Sequence, residues 1–207
     1  MTAHPQSFIY RHPRIYNTAM RLLYGTHYAA RFRVIADLID ERSTVVDLCC
    51  GPPVLYADYL RKKSVQYTGI DVNARFIHEL ARCGARGLVV DLQSAPPLPQ
   101  ADYVLMQASL YHFLPDPSAL VQRMLESARK HVIVSEPIRN LSTSRVPFVA
   151  SFARHQTDPG SGQHTSRFDA TSLEGFFRKY ASLIERSFLT PGSREKIYVL
   201  RGQCTDS

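Results

Sequence analysis

Three short hydrophobic runs in this 207-residue chain each end in aspartate: Val45-Val46-Asp47, Tyr67-Thr68-Gly69-Ile70-Asp71 and Gly87-Leu88-Val89-Val90-Asp91. Runs rich in Val, Ile, Thr and Tyr read as strands. Carboxylates lined up along one edge of a sheet suit a ligand that presents hydroxyls and a cationic amine, because an ionised carboxylate accepts strong, charge-assisted hydrogen bonds from both. A nucleoside with two ribose hydroxyls and an attached ammonium group fits that pattern. The first run continues as Leu48-Cys49-Cys50-Gly51-Pro52-Pro53. Gly51 allows close approach of the backbone to a ligand or a left-handed turn. Pro52 and Pro53 suit the first turn of a helix, where a missing N–H costs nothing.

Two further strand ends carry reactive side chains. The run over 101–106 leads into Gln107-Ala108-Ser109-Leu110-Tyr111-His112-Phe113. His112 is the obvious general base, since imidazole titrates near neutral pH. The apolar neighbours equally suit a packing histidine, and Tyr111 stands between lining a substrate and filling the core. Glu136 follows the run over 131–135, and Pro137 holds it extended. An acid there orients or deprotonates an acceptor, or pairs with Arg139. His155, His164 and Arg167 lie in a polar, irregular stretch over 137–168 and are candidates for contact with the acceptor.

The elements that must position these residues alternate. Apolar spacing predicts two helices over 15–40, then a strand over 43–48. A helix follows Pro52-Pro53, a strand spans 65–70, and Asn73 caps a helix through Arg82. Strands over 87–91 and 101–106 come next. Asp116-Pro117 reads as N-cap and first helical residue of 118–129, before the strand over 131–135. Thr171-Ser172-Leu173-Glu174 matches a capping box opening a helix to about Tyr180. Runs over 183–189 and 196–200, joined by Pro191-Gly192-Ser193, read as a hairpin. This alternation predicts an α/β chain with a doubly wound, mostly parallel sheet and helices on both faces.

Bulk properties narrow the function classes. The length fits one domain, and 44% hydrophobic with 21% charged residues is ordinary for a globular protein. No apolar stretch is long enough to cross a membrane as a helix, and residues 1–10 lack the apolar core of a secretory signal, so a cytoplasmic protein is expected. The net charge is +7, but the arginines are scattered rather than set in a stripe among aromatics, so nucleic acid is not the expected partner. Cys49, Cys50, Cys83 and Cys204 form no Cys-x-x-Cys and read as buried thiols; no Cys or His lies at zinc-ligand spacing, and no metal is expected.

The three acid-ended strands resemble those of class I S-adenosylmethionine-dependent methyltransferases. The first motif of that family reads Asp-x-Gly-x-Gly-x-Gly; here Cys49 and Pro53 replace two of its glycines. The resemblance implies a seven-stranded sheet with a C-terminal antiparallel hairpin, an N-terminal helical cap and S-adenosyl-L-methionine as cofactor. It covers about 44–200. It divides one domain into a helical cap (1–42), a cofactor-binding core (43–136), a loop covering the substrate (137–170), and a last helix and hairpin (171–207). It assigns Asp71 to the ribose hydroxyls, with Val72 and Asn73 beside the nucleoside, and Asp91 and Leu92 to the adenine. It also implies that Gln107 and Ala108 touch the methionine part through their backbone, that Cys49 and Gly51 line the loop, and that Asp47 either shapes that loop or meets the ammonium group. Because the prolines remove N–H donors from the helix start, the cofactor carboxylate is expected to lean on Arg11, Tyr16 or Tyr24.

The expected reaction is methyl transfer to a small-molecule acceptor, with oxygen favoured because His112 offers a base. The oligomeric state is open. A nicotinamide-dependent oxidoreductase needs Gly-x-Gly-x-x-Gly, and Cys49 and Val54 would crowd its pyrophosphate. A non-catalytic scaffold of the same fold is the alternative; it explains the degenerate loop and leaves the three acids without a purpose.

Overall fold

Alternate residues of each central strand are apolar on opposite faces, and both faces are buried. In β1 (Thr44–Leu48), Val46 and Leu48 join one core with Val104 and Met106 of β4 (Ala101–Gln107) and with Val132 and Val134 of β5 (Ala128–Pro137). Val45, Tyr103, Leu105 and Ile133 join the other. A strand buried on both sides must be covered by two layers of helix. One layer is α1 (His27–Asp37), α2 (Val54–Asp58) and α3 (Ala74–Arg82), which contribute Ile35, Leu55, Tyr56 and Leu80. The other is α4 (Ser118–Ser127) and α5 (Ala170–Phe177), which contribute Val121, Met124, Leu173 and Phe177. The computed structural model describes residues 27–138 and 167–204.

With β2 (Gln66–Asp71), β3 (Arg86–Val89), β6 (Ile184–Leu189) and β7 (Glu195–Arg201), the sheet has seven strands in the order β3-β2-β1-β4-β5-β7-β6. The first five run parallel. β7 is antiparallel to both β5 and β6. The strand order reverses between β1 and β4, and ligands of open α/β sheets bind in the crevice outside the carboxyl ends at such a switch point. The expected fold class, with its C-terminal hairpin, is therefore present.

Several boundaries differ from the sequence reading. The capping box of α5 is formed by Asp169 and Ser172, not Thr171 and Glu174. The Asp169 carboxylate takes the Ser172 N–H at 2.7 Å, and the Ser172 hydroxyl takes the Asp169 N–H at 2.9 Å. Pro117, not Asp116, holds the N-cap position of α4, although Asp116 still accepts the Ser118 N–H. β3 ends at Val89, so Asp91 lies beyond the strand and caps a short 3-10 turn over Leu92–Ser94. α2 has only five residues, because Pro53 sits at its N-cap and a 3-10 turn over Leu60–Lys63 takes over. The first predicted helix, Arg11, Tyr16, Tyr24, Arg139, His155 and His164 lie outside the described residues.

Candidate active site

The turn after β1 is built by two left-handed residues, Cys49 at φ 53° and Gly51 at φ 58°. Glycine adopts this conformation freely, while a non-glycine residue is strained there by about 1 kcal/mol or more. Cys49 and Cys50 point to opposite cores, and burial raises both thiols well above the usual range. Cys50 explains Gly69 on β2: a Cβ there would lie 2.8 Å from the Cys50 Sγ and 2.4 Å from Leu80 Cδ2. At the mouth of α2, Pro52 and Pro53 have no N–H, and the Val54 N–H turns back to the Pro52 carbonyl at 2.7 Å. The start of α2 therefore offers few donors, as the sequence reading expected.

Asp71 ends β2 and is 9% exposed. One carboxylate oxygen accepts the Gly51 N–H at 2.9 Å and the other accepts the Asn73 N–H at 2.7 Å. Each oxygen keeps a further lone pair. Burial pushes the group upward, and these backbone donors pull it back. Asn73 caps α3 through the Arg75 N–H. Val72 and Val89 are 60% and 55% exposed, at the carboxyl ends of β2 and β3. Together they place apolar surface beside the acid. Asp91 is exposed and accepts the Gln93 N–H at 2.9 Å; the Leu92 side chain is turned into the core. Of these two, only Asp91 offers a side chain to a ligand.

Asp47 is fully buried one strand away. Tyr67 donates to its Oδ2 at 2.5 Å, while Oδ1 is buried with no partner among the described residues. Burial pushes this carboxyl up to about 7, against the pull of the Tyr67 hydroxyl. On β4, the buried Gln107 Oε1 is likewise without a partner among the described residues. Sequence spacing gave no hint of Tyr67, because its contact with Asp47 depends on the β1–β2 register.

The turn after β4 is held from β5. Ala108, left-handed at φ 51°, donates its N–H to the Ser135 carbonyl at 2.7 Å. Ser109 and Leu110 donate theirs to Glu136 Oε1, both at 2.6 Å. Three successive N–H groups are thus taken by two successive β5 residues. What Ala108 has left for a ligand from its backbone is an acceptor, its carbonyl. Glu136 is 1% exposed, and burial pushes it up to about 8 although these two donors lower it. Behind it, Glu195 is ion-paired with Arg31 at 2.9 Å and receives the Ser135 hydroxyl at 3.0 Å. That network ties α1 to β5 and β7, and sequence reasoning missed it.

Tyr111 and His112 follow, their ring centroids 4.0 Å apart. Burial first, and then the Arg167 charge, lower His112 to about 4. The imidazole is neutral at physiological pH, and a weak base. The Arg167 guanidinium lies 4.3 Å from the Tyr111 ring centre and donates to the Tyr111 hydroxyl at 3.4 Å. Arg167, Tyr111, His112 and Glu136 are therefore brought together beside the switch point. A small cavity of about 200 Å³, lined by Phe177, Arg178, Lys196 and Tyr198 among others, lies apart under α5 against β6 and β7. Among the described residues no group of His, Cys, Asp and Glu is arranged to hold a metal ion, and no helix is long and apolar enough to cross a membrane.

This sheet order, with acids at or next to the ends of β1 and β2 flanking the switch point, is the fold of class I, S-adenosylmethionine-dependent methyltransferases, and the family match places the chain among them. Residues 20–180 match the family model described as a methyltransferase domain, and the chain belongs to that family. No curated protein sequence matches it. Among solved structures it is similar to magnesium protoporphyrin IX methyltransferase from Synechocystis PCC 6803 with bound S-adenosylhomocysteine, at 14% identity and TM-score 0.64, over 90% of this chain and 94% of that one. It is also similar to a possible histamine N-methyltransferase from Thermotoga maritima (14%, TM-score 0.64, 94% and 98% covered). A third is an O-methyltransferase family protein from Burkholderia thailandensis (18%, TM-score 0.63, 99% and 65% covered). At these identities the likeness is one of fold.

Proposed function

We propose that the chain transfers a methyl group from S-adenosylmethionine to an oxygen of a small-molecule acceptor. The observation that carries the reading is the Asp71 carboxylate holding the Gly51 N–H of the β1 turn, with Asp47 buried near the end of the neighbouring strand, inside a chain of the methyltransferase family. The donor set suits the cofactor. Two buried acceptor oxygens without partners among the described residues, Asp47 Oδ1 and Gln107 Oε1, stand near the carboxyl ends of the adjacent strands β1 and β4 and suit an ammonium group. Asp71 has lone pairs left for two ribose hydroxyls, and exposed Val72 gives apolar surface to the adenine.

S-adenosylmethionine, held by Asp47, Asp71 and Gln107, would supply an electrophilic methyl group whose leaving group is a neutral thioether. The chain's own work is to hold the two reactants in near-attack geometry. Asp71 and Asp47 fix the nucleoside and ammonium ends, and Glu136 keeps the turn over 107–110 in place. His112 and Tyr111 face the acceptor, and neutral His112 takes the acceptor's proton where there is one. The related structures support a small acceptor, since a porphyrin and histamine are named for two of them; the Burkholderia protein supports oxygen.

Calorimetric titration with S-adenosylmethionine and S-adenosylhomocysteine tests the first half. Micromolar binding of both is expected, and absence of both would leave the scaffold reading. Transfer of a labelled methyl group to an oxygen-bearing small molecule, reduced in His112→Ala, tests the second.

A further inference from the structure

We propose that the acceptor is an anion whose carboxylate is held by Arg167 beside the Tyr111–His112 pair; this rests on the methyltransferase reading above. Charge is divided along the carboxyl edge of the sheet. The half formed by β1, β2 and β3 carries Asp47, Asp71 and Asp91, which suits a cationic cofactor. The half formed by β4 and β5 carries Arg167, and its acids are already engaged. Glu136 accepts the N–H groups of Ser109 and Leu110 on one oxygen, and Glu195 is taken by Arg31 and Ser135. Asp169, two residues after Arg167, uses its carboxylate to cap α5 through Ser172.

Arg167 accordingly makes no ion pair among the described residues, although the buried Glu136 lies close enough to feel its charge. The Tyr111 ring holds the guanidinium at 4.3 Å without taking up its hydrogen-bonding fork. One N–H reaches the Tyr111 hydroxyl, and the rest of the fork has no protein acceptor among the described residues. A planar guanidinium with open donors matches a carboxylate in two-point geometry. Neutral His112 adds no charge of its own. An acceptor held by its carboxylate there lies next to the crevice that the cofactor occupies.

The test uses the full chain loaded with S-adenosylhomocysteine and titrated calorimetrically with 4-hydroxybenzoate and with 4-hydroxybenzamide, its uncharged counterpart. The carboxylate should bind at least about tenfold more tightly than the amide, as one charged hydrogen-bonded contact implies. The preference should weaken with added salt. It should vanish in Arg167→Gln and persist in part in Arg167→Lys, with S-adenosylhomocysteine binding serving as the control for folding. Equal binding of the two probes, no binding of the carboxylate, or a preference that survives in R167Q would each overturn the proposal. Failure of S-adenosylhomocysteine itself to bind would instead remove the methyltransferase reading beneath it.

Discussion

The Asp71 carboxylate receives the Gly51 N–H at 2.9 Å, so the acid that ends β2 also fixes the turn that follows β1. Two parts of the site that are far apart in sequence therefore move together. Asp71→Asn puts an amide donor against one of two backbone N–H groups. Affinity for S-adenosylhomocysteine should fall by about tenfold or more, the worth of a hydrogen bond to a charged group. Calorimetry on the variant decides this, and an unchanged dissociation constant would release Asp71 from the ribose role.

Asp47 should couple binding to protons. Its carboxyl is raised to about 7 in the folded chain, so it holds a proton there that the unfolded chain has already lost. Its contribution to stability is therefore complete at acid pH and is lost as pH rises from about 4 through about 7. An ammonium group beside Oδ1 favours the ionised form. Binding of S-adenosylmethionine at about pH 6 should thus release protons, read as a binding enthalpy that depends on the buffer. Asp47→Asn should abolish the release and flatten the stability profile across that window.

Glu136 holds a turn, and its variants should show it. Glu136→Ala leaves two N–H groups unpaired, that of Leu110 buried and that of Ser109 half-buried, at about 1–3 kcal/mol for a buried one. Urea unfolding should show a loss of at least about 2 kcal/mol. Glu136→Gln keeps an oxygen for the same donors and should lose less, with weakened S-adenosylhomocysteine binding in both. A residue acting only as a base would leave cofactor affinity untouched.

Gly51 separates backbone strain from ligand contact. Among the described residues, its chain neighbours aside, no atom lies within 4 Å of the Cβ that alanine would add, but φ is 58°. Gly51→Ala should cost about 1 kcal/mol of stability from that conformation alone. A ligand crossing the turn would meet the new methyl, so cofactor affinity should fall further than stability does. A melting curve and a titration on the same sample separate the two effects.

The Asp47 turn shows why part of the site was legible and part was not. Local chemistry is written in adjacent residues. The runs ending at Asp47 and Asp71, the Pro52-Pro53 helix mouth and the Asn73 cap were all read at or near their places. The caps of α4 and α5 were misplaced by one or two residues, because Asp, Ser and Thr cluster there and several satisfy the same N–H groups.

By itself the sequence determined an alternating α/β chain, three acids near successive strand ends and the loss of donors at the α2 mouth, since periodicity, strand-end chemistry and proline geometry act over a few residues. Tertiary structure decided what those acids do. Register placed Tyr67 against Asp47, crossover brought Glu136 under the N–H groups of Ser109 and Leu110, and packing set Arg167 on Tyr111. Burial then moved Asp47 and Glu136 upward and His112 downward, because desolvation disfavours whichever form is charged. Such contacts join residues separated by tens of positions, and only the packed sheet fixes their distance and dielectric surroundings.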